Sequence, residues 1–268
     1  MTRVEIIAVG KEILRGQTLD TNSSWLAKRI TALGGAIGRI VIPDDDVAAI
    51  AAEIKTSLQN HAQVIITTGG LGPTFDDMTL AGIAEATGRP LSLHPGAFEI
   101  VKRRYKELWE KGLVESAEIT AQREKMAYLP QEAEALANPV GTAPAVFLQT
   151  SQADLFALPG VPKEMQAICE QAVFPRLKAL LGAEFYREEQ VKSGMGDESM
   201  LAGIIDQVMK QVPGTYLKSK ATAFGAGVDL EVVITAAGVD KEAVEKKVAE
   251  AKRLLLALIK ARPTRTAR

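Results

Sequence analysis

The spacing of apolar residues changes period in a regular way along the chain. Val4–Val9 is apolar apart from Glu5 and predicts a buried strand, and a polar loop, Gly10–Asp20, follows it. Trp25, Leu26, Ile30 and Leu33 then share one helical face, ended by Gly34-Gly35. Ile37–Ile42 predicts a second strand, stopped by Pro43 and Asp44-Asp45-Asp46. Val47, Ile50, Ile54 and Leu58 mark the next helix, and Val64–Ile66 a third short strand that opens into a glycine-rich loop. Strands alternating with helices of this length predict an α/β fold with a mostly parallel sheet wrapped on both faces.

The pattern then becomes mostly helical from about Pro95 to Met126, with Phe98, Val101, Tyr105 and Leu108 on a face suited to core packing. After the loop Asn138–Pro144, the segments Ala145–Leu148 and Leu155–Leu158 predict two strands joined by a polar turn. A long helix is expected from near Val161 to Leu181. Gly182-Ala183 marks the domain boundary, so residues 1–181 form the main domain. Residues 182–259 form a small α+β domain: strand near Tyr186–Val191, helix Glu198–Gln211, strands Tyr216–Lys220 and Val228–Ala236, helix Lys241–Ile259. Residues 260–268 are a basic tail, read as a frayed end.

Composition narrows the class. Of 268 residues 47% are hydrophobic and 24% charged, which supplies an ordinary globular core. The net charge of −1 steers the molecule neither to nucleic acid nor to an anionic membrane, so any bound anion needs a local device. Cys169 has no disulfide partner within the chain, and it falls with Met165, Ile168 and Val173 on a core face. No apolar run approaches the ~20 residues of a membrane span, and the start is too short for a signal peptide. The expectation is a cytoplasmic protein with no nucleic-acid or membrane partner. His61 and His94 lie far apart without Cys or His at ligand spacing, which argues against zinc.

The chemistry concentrates in Thr67-Thr68-Gly69-Gly70-Leu71-Gly72-Pro73-Thr74-Phe75-Asp76-Asp77-Met78-Thr79, where a buried strand hands over to a helix. Three glycines let the backbone take otherwise closed conformations and let a ligand approach. Successive N–H groups before a helix start make a site for phosphate oxygens. Asp76 and Asp77 would repel phosphate unless they held a divalent cation, Mg, Mn or Co, with Glu12 or Asp20 assisting. A Walker loop is excluded, because Gly10 and Gly16 enclose five residues and are followed by Gln17-Thr18. The dinucleotide fingerprint is excluded by Phe75, which stands where a third Gly or Ala belongs.

Three more segments should meet this loop at one end of the sheet: Gly10–Asn22, Asn138–Pro144 and Leu158–Met165. Together with Thr67–Thr79 they resemble the signatures of the N-terminal domain of the competence-damage-inducible CinA family. That domain is similar to the molybdopterin-binding MogA/MoaB proteins, which implies a three-layer αβα sandwich. The C-terminal part resembles the KH-like module of CinA proteins, with Gly194-Met195-Gly196-Asp197-Glu198-Ser199 at its helix start. RNA binding is not expected of it, because Gly194-Met195-Gly196 and Gly225-Ala226-Gly227 lack the Gly-x-x-Gly spacing. Bacterial relatives carry a further domain that deamidates nicotinamide mononucleotide. This chain stops at Arg268, so that activity is not expected.

The resemblance implies a metal-dependent pyrophosphatase acting on ADP-ribose to give AMP and ribose 5-phosphate. It implies, alternatively, binding of a pterin or flavin phosphate with nucleotidyl transfer, and a non-catalytic nucleotide sensor is a third possibility. On any of these the expected ligand is a small nucleotide or pterin phosphate, and the expected assembly a homo-oligomer, a dimer favoured. Asp76, Asp77 and Lys163 are the candidate catalytic residues. Thr68, Gly69, Gly70, Gly72, Pro73, Thr74, Asn138, Gly141, Thr142, Pro159 and Gly160 are candidates for nucleotide or phosphate binding. Asp44 ends a strand and is a candidate for ribose or metal, or else part of a turn and helix cap.

Overall fold

The computed structural model describes residues 2–181, 185–220 and 229–262. Its first element, β1 (Arg3–Ala8), is followed by a helical turn, α1 (Lys11–Leu14), inside the stretch that its polarity predicted to be a loop. There follow α2 (Thr21–Ala32), β2 (Ala36–Val41), α3 (Val47–Gln59), β3 (Val64–Thr68) and α4 (Thr79–Thr87). Asp46 caps α3 by accepting the Ala49 N–H. Gly88 ends α4 in the left-handed region.

Three short strands were invisible to periodicity: β4 (Leu91–Leu93), β5 (Tyr128–Pro130) and β6 (Glu134–Leu136). Each spans three residues, too few for alternation to register. Between β4 and β5 lie α5 (Pro95–Glu110) and α6 (Ala121–Lys125), so the helical insertion is broken rather than continuous. Strands β7 (Ala145–Gln149) and β8 (Asp154–Leu158) form the predicted hairpin.

The long helix predicted to run to Leu181 is interrupted. It consists of α7 (Pro162–Ile168), a π-helical turn (Cys169–Val173) and α8 (Phe174–Leu181). Pro175 has no N–H, and its ring clashes with the preceding turn of a regular α-helix. The chain widens just before it, where the Phe174 N–H reaches back to the Cys169 carbonyl.

The main sheet has the order β2-β1-β3-β8-β7-β6. β2, β1, β3 and β8 are mutually parallel, and β7 runs antiparallel to both neighbours. Every residue of β3 is buried, as expected of a strand covered on both faces. Alternation along the strands sends Ile7, Val9, Ile65, Val146 and Leu155 into a core with Ile50, Ile54, Ile83, Val101 and Tyr105 of α3, α4 and α5. Ile6, Ile66 and Phe156, which alternate with them, are buried on the opposite face. There α2 and α8 are joined by stacked Trp25 and Phe174, centroids 5.6 Å apart. Cys169 is buried, and burial pushes its thiol far above the ordinary range, so it is an inert core residue.

The chain divides into two units, Met1–Thr31 with Gly35–Leu181, and Ala32–Gly34 with Gly182–Arg268. In the second, β9 (Phe185–Lys192), α9 (Glu198–Gln211), β10 (Thr215–Lys220), β11 (Glu231–Gly238) and α10 (Lys241–Lys260) build an antiparallel sheet, order β10-β11-β9, with its own core. Leu201, Ile205, Val208, Val232, Ile234, Val248 and Leu255 fill that core. The expected boundary at Gly182-Ala183, the Gly225-Ala226-Gly227 segment, the start of the last strand at Val228 and tail residues 263–268 lie outside the described residues. Among the described residues no helix is long and apolar enough to cross a membrane.

Candidate functional site

Parallel strands end together. Ala8 pairs with Thr68, and Thr68 with Leu158, so the chain leaves β1, β3 and β8 at one edge of the sheet. Connections from β1 and β3 diverge to either side there, the place where open α/β sheets hold ligands. The ladder continues one step beyond the strands: Val9 N–H donates to Thr68 O at 2.8 Å, and Gly69 N–H to Leu158 O at 2.9 Å.

The four segments singled out in the sequence surround one cleft of about 460 Å³ at that edge. Of the predicted site residues, Glu12, Asp20, Thr68, Gly69, Gly70, Gly72, Pro73, Thr74, Asp76, Asp77, Thr142, Pro159 and Gly160 line it. Asp44, Lys163, Asn138 and Gly141 do not. Asp44 pairs with Lys11 at 2.9 Å, while its neighbour Asp45 faces the cleft and accepts the Lys11 N–H at 2.9 Å. Lys163 is exposed, and the residue after it, Glu164, lines the wall instead.

The glycine loop is held by its own backbone and two threonines. Gly69 and Gly70 have positive φ, 94° and 67°. A Cβ at Gly69 would lie 2.2 Å from the Val9 carbonyl oxygen, so no other residue fits without moving β1. The buried Thr79 hydroxyl donates to Gly69 O at 2.8 Å, and Thr79 N–H to Gly70 O at 3.2 Å. With its N–H spent on Leu158, Gly69 is not the anion donor its sequence position suggested. The N–H groups of Gly70, Leu71 and Gly72 have no acceptor among the described residues.

Asp77 Oδ2 accepts the Thr74 N–H at 2.8 Å and lies 2.6 Å from the Thr74 hydroxyl, which also reaches Asp76. The single hydroxyl proton serves one carboxylate at a time. That hydrogen bond, with Lys125 and Lys11 nearby, holds the Asp76 carboxyl below its usual range. Lys125 also donates to the Thr74 carbonyl. Asp45 is raised, first by burial and then by repulsion from Glu12, Asp44 and Asp76, although the Lys11 N–H lowers it. Asp20 Oδ1 accepts the Ser23 N–H at 2.9 Å in the first turn of α2.

Among the described residues no three His, Cys, Asp or Glu side chains converge as a ligand set. Asp76 and Asp77 both reach Thr74 and shape the loop around it.

Three cleft residues escaped sequence reasoning. Asn22 Nδ2 donates to Gly160 O at 2.8 Å, tying the loop after β1 to the loop after β8. Glu164 is the third residue of α7, where a side chain leans back toward the helix start, and Pro162 already marked that start. Asp45 sits between the helix cap Asp46 and the ion-paired Asp44, and only the three-dimensional course of α1 distinguishes the three.

Residues 5–179 match the family described as a probable molybdopterin binding domain. The chain belongs to that family. Its αβα unit therefore has the MogA/MoaB-like fold, with the mostly parallel six-stranded sheet described above. Over 217 residues it is 44% identical to a protein of Aeropyrum pernix, covering 81% of this chain and 78% of that one. It is 38% identical to a Caldivirga maquilingensis protein over 262 residues, 96% and 97% of the two chains. Among solved structures it resembles CinA from Thermoplasma acidophilum, described as of unknown function: 33% identity, TM-score 0.59, covering 66% of this chain and 98% of that one.

Proposed function

We propose that the cleft binds a phosphate-bearing pterin of the molybdopterin class. The observation that carries this reading is the row of N–H groups at Gly70, Leu71 and Gly72, without acceptors among the described residues, on a loop that lines the carboxyl-end cleft of a chain in this family. Such groups, followed by the start of α4 at Thr79, bind phosphate oxygens with donors already in place. A cleft of about 460 Å³ accommodates a bicyclic ring with its phosphorylated side chain. The N–H groups hold the phosphate, and the walls contributed by α2 and α7 hold the ring.

The test is a fluorescence titration with 6-hydroxymethylpterin phosphate and with the same pterin lacking phosphate. Saturable binding of the ester, weaker by about tenfold or more when the phosphate is removed, is the expected result; loss of a charge-assisted hydrogen-bond cluster has at least this magnitude. Equal affinity for both would remove the phosphate loop from the account.

A second reading keeps the same loop and takes ADP-ribose as substrate of a pyrophosphatase. It is favoured by the number of carboxylates on the cleft, Glu12, Asp20, Asp45, Asp76, Asp77 and Glu164, which exceeds what a phosphate pocket needs. Incubation with ADP-ribose and Mg, Mn or Co ions, with AMP measured by chromatography, decides it. AMP formation that Asp76→Asn plus Asp77→Asn abolishes would establish hydrolysis, and its absence with every ion would leave the binding reading alone.

A further inference from the structure

The part of the cleft wall built by α2 and the start of α7 offers side-chain acceptors, where the glycine loop offers backbone N–H groups. Glu164 lines it. The Glu164 carboxylate makes one hydrogen bond within the protein, accepting from Asn138 Nδ2 at 2.7 Å, and it has no ion-pair partner among the described residues. A carboxylate has about four acceptor positions, so most of this one is open.

The residues behind Glu164 are arranged to hold it. Asn138 is 2% exposed and fully engaged: Nδ2 also donates to Ala143 O at 2.9 Å, and Oδ1 accepts the N–H groups of Val140 and Gly141 at 3.0 and 2.7 Å. A Cβ at Gly141 would lie 1.9 Å from Glu164 Oε2, so the glycine leaves room for the carboxylate. From the other side Arg104 of α5 grips the same loop, donating to Gly141 O at 2.8 Å and Val140 O at 2.6 Å. The Asn138–Gly141 motif therefore positions a ligand-facing acid rather than touching the ligand itself.

We infer that Glu164, positioned by Asn138, reads the N–H edge of the ligand ring and so selects a 2-amino-4-oxo heterocycle. This inference rests on the pterin-phosphate reading above and assigns the orientation: phosphate at Gly70–Gly72, ring edge at Glu164. Such a ring carries a ring N–H and an amino N–H side by side, which match the two oxygens of one carboxylate. A 2-oxo ring places an acceptor against that carboxylate and is rejected.

The experiment compares 6-hydroxymethylpterin phosphate with 6-hydroxymethyllumazine phosphate, which differs in bearing oxygen for the 2-amino group. The wild type is expected to prefer the pterin by about 10- to 100-fold, the range for hydrogen bonds to a charged group. Glu164→Gln keeps an acceptor for Asn138 but turns an N–H donor toward the ring, and is expected to abolish the preference. Equal wild-type affinity for the two esters, or an undiminished preference in a folded E164Q, overturns the inference. Circular dichroism establishes folding of E164Q; if that variant does not fold, the wild-type comparison decides alone. Two esters bound equally but phosphate-dependently leave the pterin-phosphate reading standing without this inference, whereas no binding of either ester removes both.

Discussion

Gly69 and Gly88 both have positive φ, 94° and 68°, but their surroundings differ. At Gly88 an added Cβ meets nothing within 4 Å, while at Gly69 it meets the Val9 carbonyl oxygen at 2.2 Å. Gly88→Ala is expected to cost about 1 kcal/mol of backbone strain. Gly69→Ala adds a backbone clash and is expected to cost about 3 kcal/mol, with weaker binding of the pterin ester. Urea unfolding followed by the fluorescence of Trp25 and Trp109, both in the first unit, compares them. Equal losses would mean that β1 yields readily to the extra methyl. The same residue-level distinction separates Asp44, Asp45 and Asp46: identical side chains in a row become an ion-pair partner, a cleft carboxylate and a helix cap. Composition could nominate the triplet but could not divide the roles, because these depend on which backbone donor each oxygen meets.

Between elements, the buried Glu5 joins β1 to β2 and α3. Its carboxylate lies 2.9 Å from Arg3 and 3.0 Å from Arg39, and Arg39 continues to Glu53 at 2.8 Å and to Ser57 at 3.1 Å. Burial pushes the Glu5 carboxyl up, but hydrogen bonds to Ser57, Arg3 and Arg39 outweigh it and leave the group below its ordinary range. A carboxyl lowered in this way stabilises the fold above its unfolded pKa, and that contribution is lost as pH falls through the folded value. Glu5→Gln leaves two arginines beside an uncharged group and is expected to cost about 3 kcal/mol at neutral pH. The deficit should be constant from pH 6 to 8 and shrink below roughly pH 4. A deficit that persisted undiminished in acid would point to packing, not charge, as its origin. The strand itself was legible from the apolar run, and Glu5 within it was the single residue that run could not explain.

At the scale of the molecule, all the residues lining the cleft belong to the first unit, and the second has a core of its own. A chain of residues 2–181 is therefore expected to bind the pterin ester as tightly as the full protein. The same titration on the truncated chain checks this. A large loss of affinity in a folded truncation would show that the second unit contributes to the site.

The sequence by itself determined the order of the long elements, because their side chains repeat with the period of a helix or of a buried strand over enough residues to be read. It also determined which segments meet: a parallel sheet sends its loops to one edge, and four loops rich in Gly, Pro, Asp and Thr had to converge there. Tertiary structure alone decided the three-residue strands β4, β5 and β6, and the π turn ahead of Pro175, where long-range pairing and one missing N–H outweigh local pattern. It alone decided which member of each loop faces the cleft. Asn138 turned inward to hold Glu164, and in α7 Glu164 lines the cleft while Lys163 turned outward, because one residue's shift along a helix changes a side chain's direction by about 100°.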